Sequence, residues 1–137
     1  MRRRSKAPSQ KTLKAKADSV CGKWFRASEC ACKGYKGHKC AGRIEWCHLK
    51  SRGILCVRHS PLNALPLCWK AHQYYTMHPD AFVAFVEAKY PGRWEALNAR
   101  IQEAMQAHEK PDYSRWLEWY SQRNDCFTDW DNQGRAA

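Results

Sequence analysis

The chain has 137 residues, of which 44% are hydrophobic and seven are tryptophan. This length is typical of a single domain, and so much apolar and aromatic surface excludes a wholly disordered chain. The formal net charge of +11 is unevenly distributed: residues 1–60 carry 16 Lys and Arg against three acidic residues (net +13), and residues 61–137 carry 8 against 10 (net −2). A positive field of this kind favours a polyanionic partner, because Lys and Arg displace counterions from phosphates. Nucleic acid is therefore the expected partner.

The cellular compartment is predicted from what the sequence lacks. No apolar stretch reaches the length of a signal-peptide core or of a membrane span, so we expect a cytoplasmic protein. In a reducing compartment the eight cysteines are expected to be thiols or metal ligands rather than disulfides. An anionic membrane is the competing partner for the basic N-terminus, but no amphipathic segment accompanies it.

The N-terminal half alternates between polar segments and short apolar ones. Residues 1–17 contain no acidic or aromatic residue and predict a disordered basic arm, with residues 18–123 forming one folded domain. A short helix is expected over residues 17–26. Residues 27–43 are rich in Gly, Lys and Cys but poor in aliphatic side chains, a composition that usually needs a bound metal to hold it together.

Two strands and three helices are predicted after this segment. Residues 43–49 alternate apolar and polar side chains and predict a strand, and residues 54–57 predict a second, shorter one. From Pro79 onward the apolar residues recur with helical period, so we expect a helical extension over residues 79–123, broken at Pro91 and Pro111. Its aromatic residues are better explained by helix packing than by base stacking. Residues 124–137 are predicted to be a tail, and the fold class is α+β.

The residues that carry chemistry lie between the predicted first strand and the first of these helices. His48 ends the strand, Asn63 follows fifteen positions later and His72 nine positions after that, with Glu45 three residues before His48 and Leu67-Cys68 before His72. This arrangement resembles the HNH endonucleases, whose core is two strands and a helix around one metal ion (the ββα-metal fold). The resemblance covers roughly residues 30–80.

A finer resemblance concerns the residues around this motif. The sequence SRG after His48 and the order Asn63, Leu67, Cys68, His72, Pro79, Phe82 are similar to a branch common in phages and prophages. Members of that branch are often linked to recombination or replication. The resemblance therefore implies DNA as the substrate, and it makes a recombination or replication protein a further partner to expect.

The resemblance implies a role for each residue of the motif. His48 is the general base that activates water, since imidazole titrates near neutrality. Asn63 orients the His48 ring or braces the loop, and His72 binds a catalytic divalent cation, Mg²⁺ or Mn²⁺ or else Zn²⁺. Glu45 holds a nearby arginine or supports a metal ligand. Each residue also has a structural alternative: His48 as a hydrogen-bonded strand residue, Asn63 as a turn residue, and His72 as a surface polar group.

Nucleic-acid contacts are expected from basic residues on both sides of the motif. In the N-terminal arm these are Arg2, Arg3 and Arg4, and after His48 they are Lys50 and Arg52. Phosphate contacts of this type carry little sequence information, so base specificity is expected to be low.

The sequence departs from the family at two positions. Cys47 stands where many members have an acidic residue or a histidine as a metal ligand, and Thr76 stands where many have a second ligand four residues after the last histidine. These departures keep an alternative function open, a catalytically impaired, zinc-stabilised DNA-binding module. An RNA-binding basic protein is a third interpretation.

The family also implies a structural zinc, and here the cysteines fit in part. Cys32 and Cys40 match the first ligand pair and Cys68 matches the third ligand, whereas the fourth position is Ala71. We expect Cys30 to complete the site, with Cys47, Cys56 and His38 as alternatives.

Overall fold

The computed structural model describes residues 5–123, which form five α-helices and one two-stranded sheet. The fold class is therefore α+β, as the sequence predicted. Within these residues, no helix combines the length and the apolar character needed to span a membrane. The elements are α1 (Gln10–Arg26), β1 (Ile44–His48), β2 (Ala64–Cys68), α2 (Trp69–Met77), α3 (Pro79–Lys89), α4 (Arg93–Gln106) and α5 (Tyr113–Ser121).

The two strands pair antiparallel, in a register that runs from Ile44 opposite Cys68 to His48 opposite Ala64. Pro66 is tolerated in β2 because a two-stranded sheet consists of edge strands only, so no ladder depends on its missing N–H. Its carbonyl accepts a hydrogen bond of 2.7 Å from the Ala31 backbone N–H. The cysteine-rich segment is thereby attached to the outer edge of the sheet.

The first helix is longer than the sequence indicated. The side chain of Ser9 caps it by accepting a hydrogen bond from the Thr12 N–H, and the helix begins at Gln10. Residues 10–17 are thus helical and do not belong to a disordered arm, whereas residues 1–4 lie outside the described chain. Helix α1 buries Cys21, Trp24 and Phe25, and once that face is packed the Lys, Ala, Gln and Leu residues before it extend the helix at little cost.

The second strand lies later in the chain than residues 54–57, where the sequence predicted it. Residues 54–57 form turns, in which the Val57 N–H donates to the Ile54 carbonyl at 3.2 Å, and Val57 packs with Leu62 and Leu97 in a small core cluster. The strand is Ala64–Cys68, which is buried along its whole length. A short, continuously apolar run does not show the alternation that identifies a half-exposed strand, and this explains why the sequence pattern missed it.

The helices α3, α4 and α5 begin at Pro79, Arg93 and Tyr113, in the region where the sequence predicted a helical extension. Two core clusters lie against the sheet. We call the first the cysteine layer, and its buried residues include Cys30, Cys32, Cys47, Leu65, Leu67, Cys68, Phe85 and Val86. We call the second the aromatic layer, and its buried residues are Cys21, Trp24, Phe25, Trp46, Ala64, Trp116, Trp119 and Tyr120.

Candidate functional site

One group of metal-ligating side chains forms next to the cysteine layer. It consists of Cys30, His38, Cys40 and Cys68, whose ligand atoms all lie within 4.8 Å of one another. Tetrahedral zinc with bonds of about 2.3 Å to sulfur places two ligand sulfurs roughly 3.8 Å apart, and the Cys68 Sγ lies 3.4 Å from the His38 Nε2. Three thiols and one imidazole are the donors that zinc prefers. This group could therefore hold a metal ion such as zinc.

The chain assembles this group from two segments. Cys68 ends β2, and its backbone N–H donates to the Cys30 Sγ at 3.2 Å. Two glycines with positive φ, Gly34 (74°) and Gly37 (75°), let the intervening loop turn tightly so that His38 returns towards Cys68. The loop thus positions ligands from both its ends against the end of the strand.

The group differs from the expected ligand set at one position, since it contains His38, one of the alternatives, and not Cys32. The Cys32 Sγ lies 3.5 Å from the Cys30 Sγ. A hydrogen bond from the Cys32 thiol and another from the Cys68 N–H hold the pKa of the Cys30 thiol well below its usual range, while the same contact raises the pKa of Cys32. Cys30 is thereby favoured as a thiolate, the form that binds metals, and Cys32 acts as a proton donor to it.

A second feature is a cleft of about 440 Å³ that His72 of α2 lines together with residues of α1, β1 and the adjoining loops. Its lining combines three arginines with a single carboxylate, so the cleft is electropositive and attracts anions. The arginines come from the end of α1, from the residue before β1 and from the loop after it. The lining residues are Arg26, Arg43, Ile44, Glu45, Trp46, Arg52 and His72.

Glu45 and His72 form a pair in this cleft. The Glu45 Oε1 lies 3.0 Å from the His72 Nδ1, and its Oε2 accepts a hydrogen bond of 3.3 Å from the Arg43 Nε. Partial burial alone would raise the pKa of Glu45, but the hydrogen bonds from His72 and Arg43 hold it below its usual range. A carboxylate that binds Nδ1 fixes the ring of a histidine and directs Nε2 outward, as in many metal sites.

His48 is separated from the cleft by the side chain of Trp46. Its imidazole packs on Trp46, with ring centroids 4.4 Å apart, and does not itself line the cleft. The His48 Nε2 lies 3.0 Å from the Arg58 carbonyl, and because a carbonyl only accepts, Nε2 carries the proton and Nδ1 presents a lone pair. Burial lowers the pKa of His48 to about 4, so the ring is neutral at pH 7. Within residues 5–123, Nδ1 is buried and has no hydrogen-bond partner.

Asn63 braces the loop between the two strands. Its side chain is fully buried. The Asn63 Oδ1 accepts a hydrogen bond of 2.7 Å from the Lys50 N–H, and Nδ2 donates to the Val57 carbonyl at 3.2 Å and to the Lys50 carbonyl at 3.4 Å. Of the two roles considered for this residue, the structure shows the loop-bracing one.

The two positions at which the sequence departs from the HNH pattern, Cys47 and Thr76, do not face the cleft. The Cys47 thiol is buried in the cysteine layer, and burial raises its pKa to about 12. The Thr76 hydroxyl donates to the His72 carbonyl at 2.8 Å, within its own helix. Glu45 and His72 are therefore the only metal-ligating side chains among the described residues that line the cleft.

The predicted nucleic-acid contacts divide into three cases. Arg52 lines the cleft, and its guanidinium lies 5.8 Å from the Trp46 ring. The Lys50 ammonium instead lies 5.9 Å from the ring of Trp94 on α4. Arg2, Arg3 and Arg4 fall outside the described residues.

A buried network that the sequence reasoning missed supports His48. Asp18 of α1 binds the Arg58 guanidinium through both oxygens, at 2.8 and 3.1 Å, and its Oδ1 also lies 2.7 Å from the Nε2 of the fully buried His59. Burial alone would raise the pKa of Asp18, but the hydrogen bonds from Arg58 and His59 hold that pKa below its usual value. Since the Arg58 carbonyl contacts His48, this network connects α1 to the His48 ring. The available signal was that Asp18 is one of only three acids in residues 1–60.

Comparison with known proteins found no matching family model, no similar curated protein and no similar solved structure.

Proposed function

We propose that this protein is a metal-dependent endonuclease of the HNH type that hydrolyses phosphodiester bonds in DNA. The observation that carries the proposal is the Glu45–His72 pair within a cleft lined by Arg26, Arg43 and Arg52. Three arginines suit a phosphate backbone, which they recognise through charge and paired hydrogen bonds. In this proposal β1, β2 and α2 form the ββα core, and α3 to α5 are its helical extension.

A divalent cation in the cleft would be held by Glu45 and His72, whose oxygen and nitrogen donors suit Mn²⁺ or Mg²⁺ better than the thiols of the cysteine layer do. When bound, such an ion neutralises charge on the phosphate during the reaction. Arg43 keeps Glu45 ionised, and Glu45 in turn orients His72. We assign zinc to the separate Cys30, His38, Cys40 and Cys68 group, where its role is structural.

His48 is the proposed general base. The Nδ1 lone pair takes a proton from water as the water oxygen forms a bond to phosphorus and the bond from phosphorus to the 3′ oxygen breaks. The departing 3′ oxygen takes up a proton from solvent water, and His48 returns its proton to solvent. One observation supports this role: the Arg58 carbonyl holds Nε2 as the protonated nitrogen, which leaves the Nδ1 lone pair as the proton acceptor.

Nicking of supercoiled plasmid in the presence of Mg²⁺ or Mn²⁺ tests the proposal. We expect His48→Ala and His72→Ala to lower the nicking rate at least 100-fold, the lower end of what general acid–base groups supply, with DNA binding intact. The matched control is His108→Asn, since His108 is exposed and its positive φ of 50° is one that asparagine tolerates. Nicking that is equal in the wild type, His48→Ala and His72→Ala would show that the protein is not the nuclease.

A second candidate function is a zinc-stabilised DNA-binding module without catalysis. It is favoured by the placement of His48, which lies beside the cleft without lining it, and by the burial of Cys47, the position of a frequent family ligand. In that case Arg26→Ala and Arg52→Ala would weaken DNA binding, and no divalent cation would produce nicked plasmid. The cytoplasmic location and the link to phage recombination or replication remain predictions from the sequence.

A further inference from the structure

A cavity of about 340 Å³ lies beside α2 on a different face from His72. Ala71, Tyr74 and Tyr75 stand at i, i+3 and i+4 and so share this face of the helix. The lining includes three tyrosines and two lysines. Among the described residues that line the cavity, none is acidic. The lining residues are Tyr35, Lys36, His38, Lys70, Ala71, Tyr74, Tyr75, Ala81 and Ala84.

Contacts with neighbouring aromatic rings hold the tyrosines of the cavity in place. Tyr35 and Tyr75 both contact the buried Phe85, with ring centroids 4.9 and 5.3 Å apart, and Tyr75 is stacked on it at an interplanar angle of 13°. Tyr74 is 52% exposed, yet its ring is stacked on His78 at 4.4 Å. The cavity thus offers a rigid aromatic wall beside an exposed ring whose conformation is already restricted.

The positive charge comes from two different elements. Lys36 lies in the loop that carries His38, with a positive φ of 47°, and it lines the cavity. Its ammonium lies 5.6 Å from the centroid of the Tyr35 ring. Lys70 lies in the first turn of α2 and is exposed. Cations beside stacking surfaces are the combination by which proteins bind single-stranded nucleic acid, because every base has a flat face and every link a negative charge.

We propose that this cavity binds a nucleobase of single-stranded nucleic acid together with its adjacent phosphate. Its volume falls within the range of small-molecule sites, and the base would lie against Tyr74 while Lys36 and Lys70 bind phosphate. The proposal deepens the nuclease proposal and rests on it, since it assigns a preference for unpaired strands. Ala71 lines the cavity and the next residue of α2, His72, lines the arginine cleft, so one strand needs only a few nucleotides to reach both sites.

Fluorescence anisotropy with a labelled oligothymidine strand, and with the corresponding blunt duplex, tests this proposal. We expect Tyr74→Ala to weaken single-strand binding about tenfold, within the usual range for loss of one stacked base, and to leave duplex binding unchanged. Tyr74→Phe keeps the flat ring and should bind as the wild type does. Bound zinc and far-UV circular dichroism verify that each variant is folded.

The lysines provide a second, independent readout. Lys70→Ala should lower the slope of log affinity against log salt for the single strand by about 0.7. Lys110→Ala, which removes an equally exposed lysine between α4 and α5, should leave that slope unchanged.

Three outcomes would overturn the assignment: no single-strand binding by the wild type, equal loss for strand and duplex in Tyr74→Ala, or equal slopes for Lys70→Ala and Lys110→Ala. Failure of the nuclease proposal is seen separately, as nicking insensitive to His72→Ala. If the cavity binds single strands and the protein does not nick DNA, the cavity proposal holds and the nuclease proposal fails.

Discussion

The cysteine layer and the aromatic layer share one small sheet but are stabilised by different chemistry. Trp46 and Cys47 are neighbours on β1, yet they belong to different layers because successive side chains of a strand point to opposite faces. In the aromatic layer, the α1 residue Trp24 packs edge-on against Trp119 and Tyr120 of α5, with centroids 5.7 and 5.1 Å apart. Such rings bury enough apolar area to hold two helices together by themselves.

The cysteine layer has no comparable source of stability in its loop. Residues 30–42 contribute mainly small or polar side chains, and three of the four clustered donors come from this segment. We therefore expect the aromatic layer to depend on solvent exclusion alone, whereas the loop of the cysteine layer also depends on a metal bound by its Cys and His side chains. Three predictions test this division, beginning with the largest effect.

Removal of metal is expected to have the largest effect. Structural zinc contributes on the order of 10 kcal/mol in small domains, so a chelator or the change Cys68→Ser should abolish cooperative thermal unfolding of the cysteine layer. Circular dichroism melts together with zinc analysis measure this. The matched control is Cys56→Ser, because Cys56 is half-buried and outside the group, and it should retain both zinc and Tm. A melt unaffected by chelation would mean that the loop is stable without metal.

Loss of one aromatic ring should give a smaller, purely thermodynamic effect. Phe25 is fully buried, packs edge-on against Trp24 at 5.0 Å and is stacked on Trp46 at 6.1 Å. Phe25→Ala should lower the free energy of unfolding by about 3–5 kcal/mol in urea titrations. Zinc content should not change. Met105→Ala removes a side chain that is 69% exposed and should be neutral, and loss of zinc from Phe25→Ala would show that the layers are not independent.

The smallest expected effect is that of pH on His48, which contacts the aromatic layer through Trp46. The pKa of His48 is about 4 in the folded protein and 6.5 in the unfolded chain. Between these two pH values the unfolded state binds a proton that the folded state does not. Stability is therefore lost as pH falls from about 6.5 to 4, and by pH 5 the loss from this group is roughly 2 kcal/mol. Urea titrations at pH 7 and pH 5 should show a steeper decline in the wild type than in His48→Gln. Equal declines would mean that the His48 ring is more accessible to water than its packing implies.

Local pattern was sufficient for much of the architecture. Prolines and helical periodicity located the starts of α3 and α5, and alternation located β1, because these signals depend on residues close in sequence. Composition indicated a bound metal in the loop that is poor in aliphatic residues, and the resemblance to HNH endonucleases supplied Cys40 and Cys68 as candidate ligands, with Cys30 expected to complete the site. The bracing role of Asn63 was also foreseen, as one of two alternatives.

Other features were decided only by tertiary structure. The extension of α1 back to Gln10 depends on its packing against α5, and the completion of the metal group by His38 depends on two glycine turns that bring it to Cys68. The network of Asp18, Arg58 and His59 joins residues 40 positions apart. The sequence by itself determined which side chains had chemistry to offer and where the helices after Pro79 lie. Which of them meet was decided by the packed chain, because loop closure brings distant residues together only when the whole core compensates its entropy.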